Sequence, residues 1–362
     1  MRLSPGPSSR GPAIPGRGNR SRKEAEAEDA GTRRKRKPAL AQAVNTGKEK
    51  RMPHSESAPA QTGFDVRFFR LALGLLLTAV LFFTFLHTFL PGVLRVPRNR
   101  DPSSWVSPTL EQTCIYERMT EAEKEKLRRD GVPGGVGEIL LYEALSLFGA
   151  WLCFVHARRH YGLWMATCFL IGSFVYTGVE ESMMIMTGRL IGGGKVDPTV
   201  FGTYWFPKGA LWFIETPVWV CLCWFLIAYS CVWVAGKVFP RMNLVGRAAV
   251  GGLIAMGIDL WEDPVLTSPE ILNWIWGKGD HLRILGIPHG NFLGWFFLIL
   301  VFALIWEALP KMEKRWTRAR ASLLFVLVLP IGDLAVYAIL VTWGTFVNNV
   351  ILPQGFAFPP GW

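Results

Sequence analysis

The stretch Leu211–Ala235, LWFIETPVWVCLCWFLIAYSCVWVA, decides the fold: apart from Glu215 it carries no charged residue. It is as long as the run of about 20 apolar residues that a helix needs to cross a hydrocarbon core of about 30 Å. Six further runs of this kind lie near Leu71–Leu90, Ile139–Val155, Leu163–Met186, Val245–Leu260, Phe292–Leu309 and Leu323–Trp343. Backbone inside lipid must satisfy its own hydrogen bonds, so each run reads as a helix. The predicted fold class is therefore all-α, a polytopic transmembrane helix bundle of about seven spans. Composition agrees, because 50% hydrophobic residues coexist with 19% charged ones, which requires segregation rather than the mixture of a soluble domain.

Outside the spans the chain changes character. Residues 1–62 are rich in Pro, Gly, Ser, Ala, Arg and Lys and have almost no bulky apolar residue, so they are expected to be a disordered basic tail. The run Arg33-Arg34-Lys35-Arg36-Lys37 resembles a nucleic-acid patch in composition, but ahead of a span it reads as an anchor for anionic lipid, and no nucleic-acid partner is assigned. The first apolar run starts too late and is too long for a cleavable signal peptide. With a cytoplasmic N-terminus, Arg158-Arg159-His160, Lys237 to Arg247 and Lys311 to Arg320 all fall inside, as expected of a multi-pass protein of the cell membrane with a net charge of +11.

The expected division is the tail, then 63–136 as the first span with a polar connection, a membrane domain over 137–350, and a C-terminal tail over 351–362. In the connection Thr120-x-x-Glu123 is a capping box that opens a short helix, closed by Gly131. Five of the six cysteines sit in predicted spans and Cys114 in a loop, so no disulfide and no metal site is assigned. No long internal repeat is evident.

Polar residues at membrane depth are costly and mark function. The richest stretch runs through Asp259, Trp261, Glu262, Asp263 and Pro264, then Trp274 and Trp276, then Gly286-Ile-Pro288-His-Gly-Asn291-Phe292-Leu-Gly294-Trp295. Asp259 and Asp263 are four apart and share a helix face. Two close carboxylates cannot both ionise cheaply, so the spacing predicts a shared proton. The alternative is that both acids cap a helix end and reach the interface; Asn291 likewise is placed to cap the sixth helix, and Trp is enriched at interfaces in any case. A second cluster, Glu180, Glu181, Thr187-Gly188, Phe201-Gly202, Tyr204 and Glu215, falls at the same end of the bundle.

The pattern formed by Glu181, Thr187-Gly188, Phe201-Gly202-x-Tyr204, Pro217, Trp224, Asp259-x-x-x-Asp263-Pro264, Trp274-x-Trp276, Gly286-Ile287-Pro288 and Asn291-Phe292-x-Gly294-Trp295 resembles the membrane-bound carotenoid biosynthesis family that contains the carotenoid 1′,2′-hydratases and the bisanhydrobacterioruberin hydratases. The similarity covers roughly residues 140 to 345. Two departures stand out: Arg189 to Val200 are inserted between Thr187-Gly188 and Phe201-Gly202, and Ile284-Leu285 replace aromatic residues before Gly-Ile-Pro.

The resemblance implies hydration of the terminal double bond of an acyclic carotenoid embedded in the membrane. The reaction needs a proton on the less substituted carbon and water on the resulting tertiary cation, and needs no metal and no cofactor. It assigns Asp259 or Asp263 as acid, the partner carboxylate or Glu181 as proton acceptor and Asn291 as the holder of water. Tyr204, Trp274, Trp276, Trp295, Phe292 and Pro288 would contact substrate, the indoles facing the cation.

Three alternatives carry less. An Asp-x-x-x-Asp is also found in Mg²⁺-dependent prenyltransferases, but Glu180 and Glu181 lack the spacing of a second such cluster. A di-iron oxygenase has only His156-x-x-x-His160, at the wrong end. A carotenoid-binding scaffold or a transporter is kept open by Asp333 in the last span.

Overall fold

The computed structural model describes residues 59–90, 119–191, 204–276 and 282–351. Cys114, Phe201-Gly202, most of the basic tail, most of the inserted segment before Phe201 and the C-terminal tail lie outside the described residues. Helix α1 (Pro59–Phe89) begins inside the segment that composition assigns to the tail. A short helix α2 (Glu121–Asp130) follows; the Thr120 hydroxyl accepts the Glu123 N–H, the Glu123 carboxylate accepts the Thr120 N–H, and Gly131 ends it. Then come α3 (Val136–Ile191), α4 (Val218–Val238), α5 (Leu244–Leu266), α6 (His289–Arg315) and α7 (Arg318–Phe346), the last running into a π turn, Val347–Ile351.

Six of these helices are long and apolar enough to cross a membrane, and α3 supplies two crossings. A straight helix would hold Glu138 and Glu181 roughly 65 Å apart. Instead both reach one short segment: Lys208 Nζ donates to Glu138 Oε1 at 3.0 Å, and the Tyr204 hydroxyl donates to the Glu181 carboxylate. The fold-back occurs at Gly162, where φ is 83° and ψ 165°. Only glycine occupies that region without strain. A Cβ there would meet nothing within 4 Å. Gly162→Ala is therefore expected to cost about 1–3 kcal/mol through the backbone alone, measurable by reversible unfolding in detergent.

Crossings alternate between two ends of the bundle. At one end Arg318 donates to both oxygens of Asp65 at 2.8 Å and to Glu313 Oε1 at 2.6 Å, Trp164 Nε1 donates to the Ser322 hydroxyl at 2.8 Å, and Arg247 pairs with Glu307 at 2.5 Å. At the other end α1 pins the segment before α4: Thr84 Oγ1 accepts the Trp212 N–H at 2.9 Å, and His87 bonds the Ile214 carbonyl at 2.5 Å and stacks on the Trp212 ring. Between the ends Phe169 of α3 packs edge-on against Phe225, Tyr229, Phe302 and Trp306 from α4 and α6. Helices α5 and α6 approach closely at Gly252, where a Cβ would lie 2.5 Å from the Phe296 carbonyl oxygen. Leu71, Leu75, Leu147, Trp151, Leu323 and Leu327 remain exposed on the outside, an arrangement that is unfavourable in water and neutral in lipid.

The apolar run Leu211–Ala235 is not one helix. Its first part is a hairpin, β2 (Trp212–Phe213) with β3 (Thr216–Pro217), turned through Ile214 at φ 56°. Pro217 ends it because proline lacks the N–H a ladder needs and has the φ that starts a helix. A second hairpin is built alike, β5 (Arg283–Ile284) with β6 (Ile287–Pro288), turned through Leu285 at φ 54°. Between the two lies a third ladder, β1 (Tyr204–Trp205) paired antiparallel with β4 (Ile275–Trp276). These three ladders are the fold's departure from an all-helical reading, and they supply Tyr204, Trp276 and Pro288 to the site.

Candidate functional site

Two helices, α3 and α5, bring carboxylates to one cavity. Glu181 projects from the second arm of α3: its Oε2 accepts the Tyr204 hydroxyl of β1 and its Oε1 accepts Trp224 Nε1 of α4 at 2.8 Å. Asp263 projects from the last turns of α5. Its Oδ1 accepts Trp274 Nε1, and its Oδ2 accepts Trp276 Nε1 at 3.2 Å and Asn291 Nδ2 at 2.9 Å. The same Asn291 amide donates to Asp259 Oδ2 at 2.9 Å. The two aspartates thus meet across one side-chain amide, and Asp259 Oδ1 has no hydrogen-bond partner among the described residues.

The walls are aromatic. Tyr204 packs on Trp276 with ring centroids 4.5 Å apart, and Trp224 on Trp295 at 4.3 Å. These four rings, with Glu181 and Asn291, line both of two adjoining lobes, which with the open space at their mouths measure about 450 and 540 Å³. The first lobe continues between α4 and α5 past Trp219, Cys223, Glu262 and Asp263; the second passes between α3, α6 and α7 along Glu180, Met184, Gly294 and Leu340. Aromatic walls around buried acids strengthen the charge interactions there and present apolar faces to a flat hydrocarbon. Burial and the neighbouring Glu181 carboxylate raise the Tyr204 phenol above its ordinary value, so it stays a hydrogen-bond donor.

The expected site residues do not all reach the cavity. Asp263, Glu181, Asn291, Tyr204, Trp274, Trp276, Trp295 and Pro288 line it, while Asp259 and Phe292 are buried behind it. Asn291 does not cap α6: the N-cap is Pro288, with no side-chain cap bond, and the amide is turned to the aspartates. Asp333 is buried in α7 with Oδ1 unpartnered among the described residues.

One residue of the site's frame has no sequence signal. Lys208 is 2% exposed, and its ammonium donates to the Pro133 carbonyl at 3.0 Å, Glu138 Oε1 at 3.0 Å and the Ile271 carbonyl at 2.6 Å. Burial lowers its pKa from the usual lysine value. It ties the β1 segment to the start of α3 and to the loop after α5, so both strands of the β1–β4 ladder depend on it. Lys208→Met would leave two carbonyls and a carboxylate without their donor, at a cost of about 2–4 kcal/mol; a drop in melting temperature in detergent measures it.

The comparisons with known proteins bear on this geometry. No curated protein and no solved structure matches the chain. The family model described as "Carotenoid biosynthesis protein" matches residues 141–358, a span that begins in the first arm of α3 and takes in every residue lining the cavity. This polytopic membrane protein belongs to the carotenoid biosynthesis protein family.

Proposed function

We propose that the protein adds water to the terminal carbon–carbon double bond of an acyclic carotenoid held in the membrane. The observation that carries this reading is the pair of carboxyl positions, Asp263 and Glu181, each held by ring N–H or O–H donors in one indole-walled cavity. The two aspartates hold one proton between them, the Asn291 amide donating to both, and Asp263 presents it, because Asp263 is the member that reaches the cavity. The proton adds to the less substituted carbon of the isopropylidene end. The π pair forms the new C–H bond, and a tertiary cation is left beside the Trp224, Trp276 and Trp295 faces.

A water held by Asn291 and Glu181 attacks the cation and gives its proton to Glu181. Return of that proton to the aspartates restores the site, so the balance is alkene plus water to tertiary alcohol. No metal or cofactor is needed for it. The basic end of the bundle is assigned to the cytoplasm and the cavity to the opposite leaflet of the cell membrane, with the basic tail on anionic lipid.

Expression in cells that accumulate lycopene tests the reading. The pigment is expected to gain the mass of one or two waters; an unchanged pigment, or one enlarged by an isoprenoid unit, contradicts it.

A further inference from the structure

The two hairpins and their helices repeat one another in detail. The shift that carries Leu211 onto Leu282 carries Ile214 onto Leu285, both at positive φ, and Pro217 onto Pro288. It carries the hydrogen bond from the Val218 N–H to the Leu211 carbonyl, 2.9 Å, onto that from the His289 N–H to the Leu282 carbonyl, 3.0 Å. It also carries Leu222-Cys-Trp224-Phe225 of α4 onto Leu293-Gly-Trp295-Phe296 of α6, and Tyr204-Trp205 onto Ile275-Trp276. The preceding helices match at a different offset, 79 residues instead of 71, through Gly172, Gly178 and Glu180 of α3 on Gly251, Gly257 and Asp259 of α5.

The contacts obey the same relation. Tyr204 pairs with Trp276 and Trp205 with Ile275, the register in which each strand treats the other as its copy. The corresponding tryptophans, Trp224 and Trp295, stack on one another. A pseudo-two-fold axis therefore passes between β1 and β4 and through the cavity. Across it the α4 positions on the first lobe, Trp219, Val220, Cys223, Trp224 and Ile227, map onto Gly290, Asn291, Gly294, Trp295 and Leu298 on the second. Asp263 of the first lobe maps onto Met184 of the second. The expectation of no internal repeat is thereby corrected: few side chains are shared, and the likeness lies in backbone turns and register.

We propose that the two lobes are duplicated half-sites that have diverged, the first retaining the acid for the reacting end and the second becoming a groove for the unreactive stretch of a linear polyene. Where the first lobe has Trp219, Cys223 and Asp263, the second has Gly290, Gly294 and Met184: two side chains are cleared away and a carboxylate is exchanged for a thioether. These three changes favour a long, flat hydrocarbon, and the one carboxyl that belongs to the second lobe alone is Glu180, the counterpart of Asp259. A glycine row on a helix face lets a chain lie against the backbone, and methionine is apolar and conforms to what it touches. The walls shared by the lobes set the junction between tail and reacting end, and Gly294 sets the bore. The inference rests on the substrate's being an acyclic carotenoid, as proposed above.

Binding tests it without turnover. The full-length protein in lipid nanodiscs is titrated with lycopene and, separately, with myrcene, a short acyclic terpene with the same isopropylidene end, following quenching of indole fluorescence. Gly294→Leu is expected to weaken lycopene binding about tenfold or more, the cost of an overfilled groove, and to leave myrcene within about twofold. Gly294→Ala, whose Cβ would have only Leu340 Cδ1 nearby, at 3.5 Å, should fall between. Cys223→Leu, at the equivalent place in the first lobe, should weaken both ligands.

Unchanged lycopene binding in Gly294→Leu, or equal loss of both ligands, overturns the proposal; the second result would make Gly294 a packing residue only. A wild-type chain that shows the expected pattern but makes no hydrate would leave this inference standing and remove the hydration reading. Hydration with Gly294→Leu binding lycopene normally would do the reverse.

Discussion

Asp263→Asn is expected to lower hydrate formation by at least about a hundredfold, the usual contribution of a positioned general acid. The amide is isosteric but keeps one oxygen, so it accepts from Trp274 Nε1 or from Trp276 Nε1 and sets its NH2 against the other donor. What is lost is the proton that reaches the alkene. Asp259→Asn should act differently. Asp259 lies behind the cavity and touches it through Asn291, so its loss removes the like-charge partner and not the donor. A smaller fall is expected there, with an altered pH–rate profile. Rates are read from pigment conversion at equal protein level, and retained lycopene binding in Asp263→Asn separates lost catalysis from lost folding. A protein that only binds carotenoid would keep its pigment effect in both variants.

Glu181→Gln is expected to have the second-largest effect, a loss of about a hundredfold. Glutamine can still accept from Trp224 Nε1 and can donate to the Tyr204 oxygen, so the ring contacts survive while the acceptor for the water proton is gone. Tyr204→Phe should cost less, because the phenol orients Glu181 and the ring contact with Trp276 remains. Should Glu181→Gln convert carotenoid at the wild-type rate, proton acceptance would have to move to the aspartates.

The bundle was legible because lipid imposes a strong constraint: a long run of apolar residues has few stable forms other than a spanning helix. Its seams were harder to see. Leu211–Pro217 runs unbroken into the apolar helix it precedes, with Glu215 as its one charge, and the pairing of Trp212 and Phe213 with Pro217 and Thr216 shows that it is a hairpin. Gly162 reads as an ordinary glycine until the two arms of α3 are seen to return to one segment.

Within the site, Asp259, Asp263 and Asn291 could be grouped from helix spacing and a motif, but spacing could not show that Asp263 alone of the two acids faces the cavity. Lys208 was invisible, since a lone lysine beside a glycine looks like a solvated loop and its three acceptors come from distant parts of the chain. Trp224 belonged to the family pattern but had no contact assigned to it. Its role depends on the facing Trp295 and on Glu181, which are separated from it in sequence.

The claim on which the account turns is proton transfer from a carboxyl group to carbon, and the most direct measurement is the mass spectrum of the alcohol formed from lycopene by the purified protein in D₂O. Each hydrated end should carry one deuterium that washing in ordinary water does not remove, bound to the carbon next to the new carbinol centre. An alcohol with no carbon-bound deuterium would contradict the account.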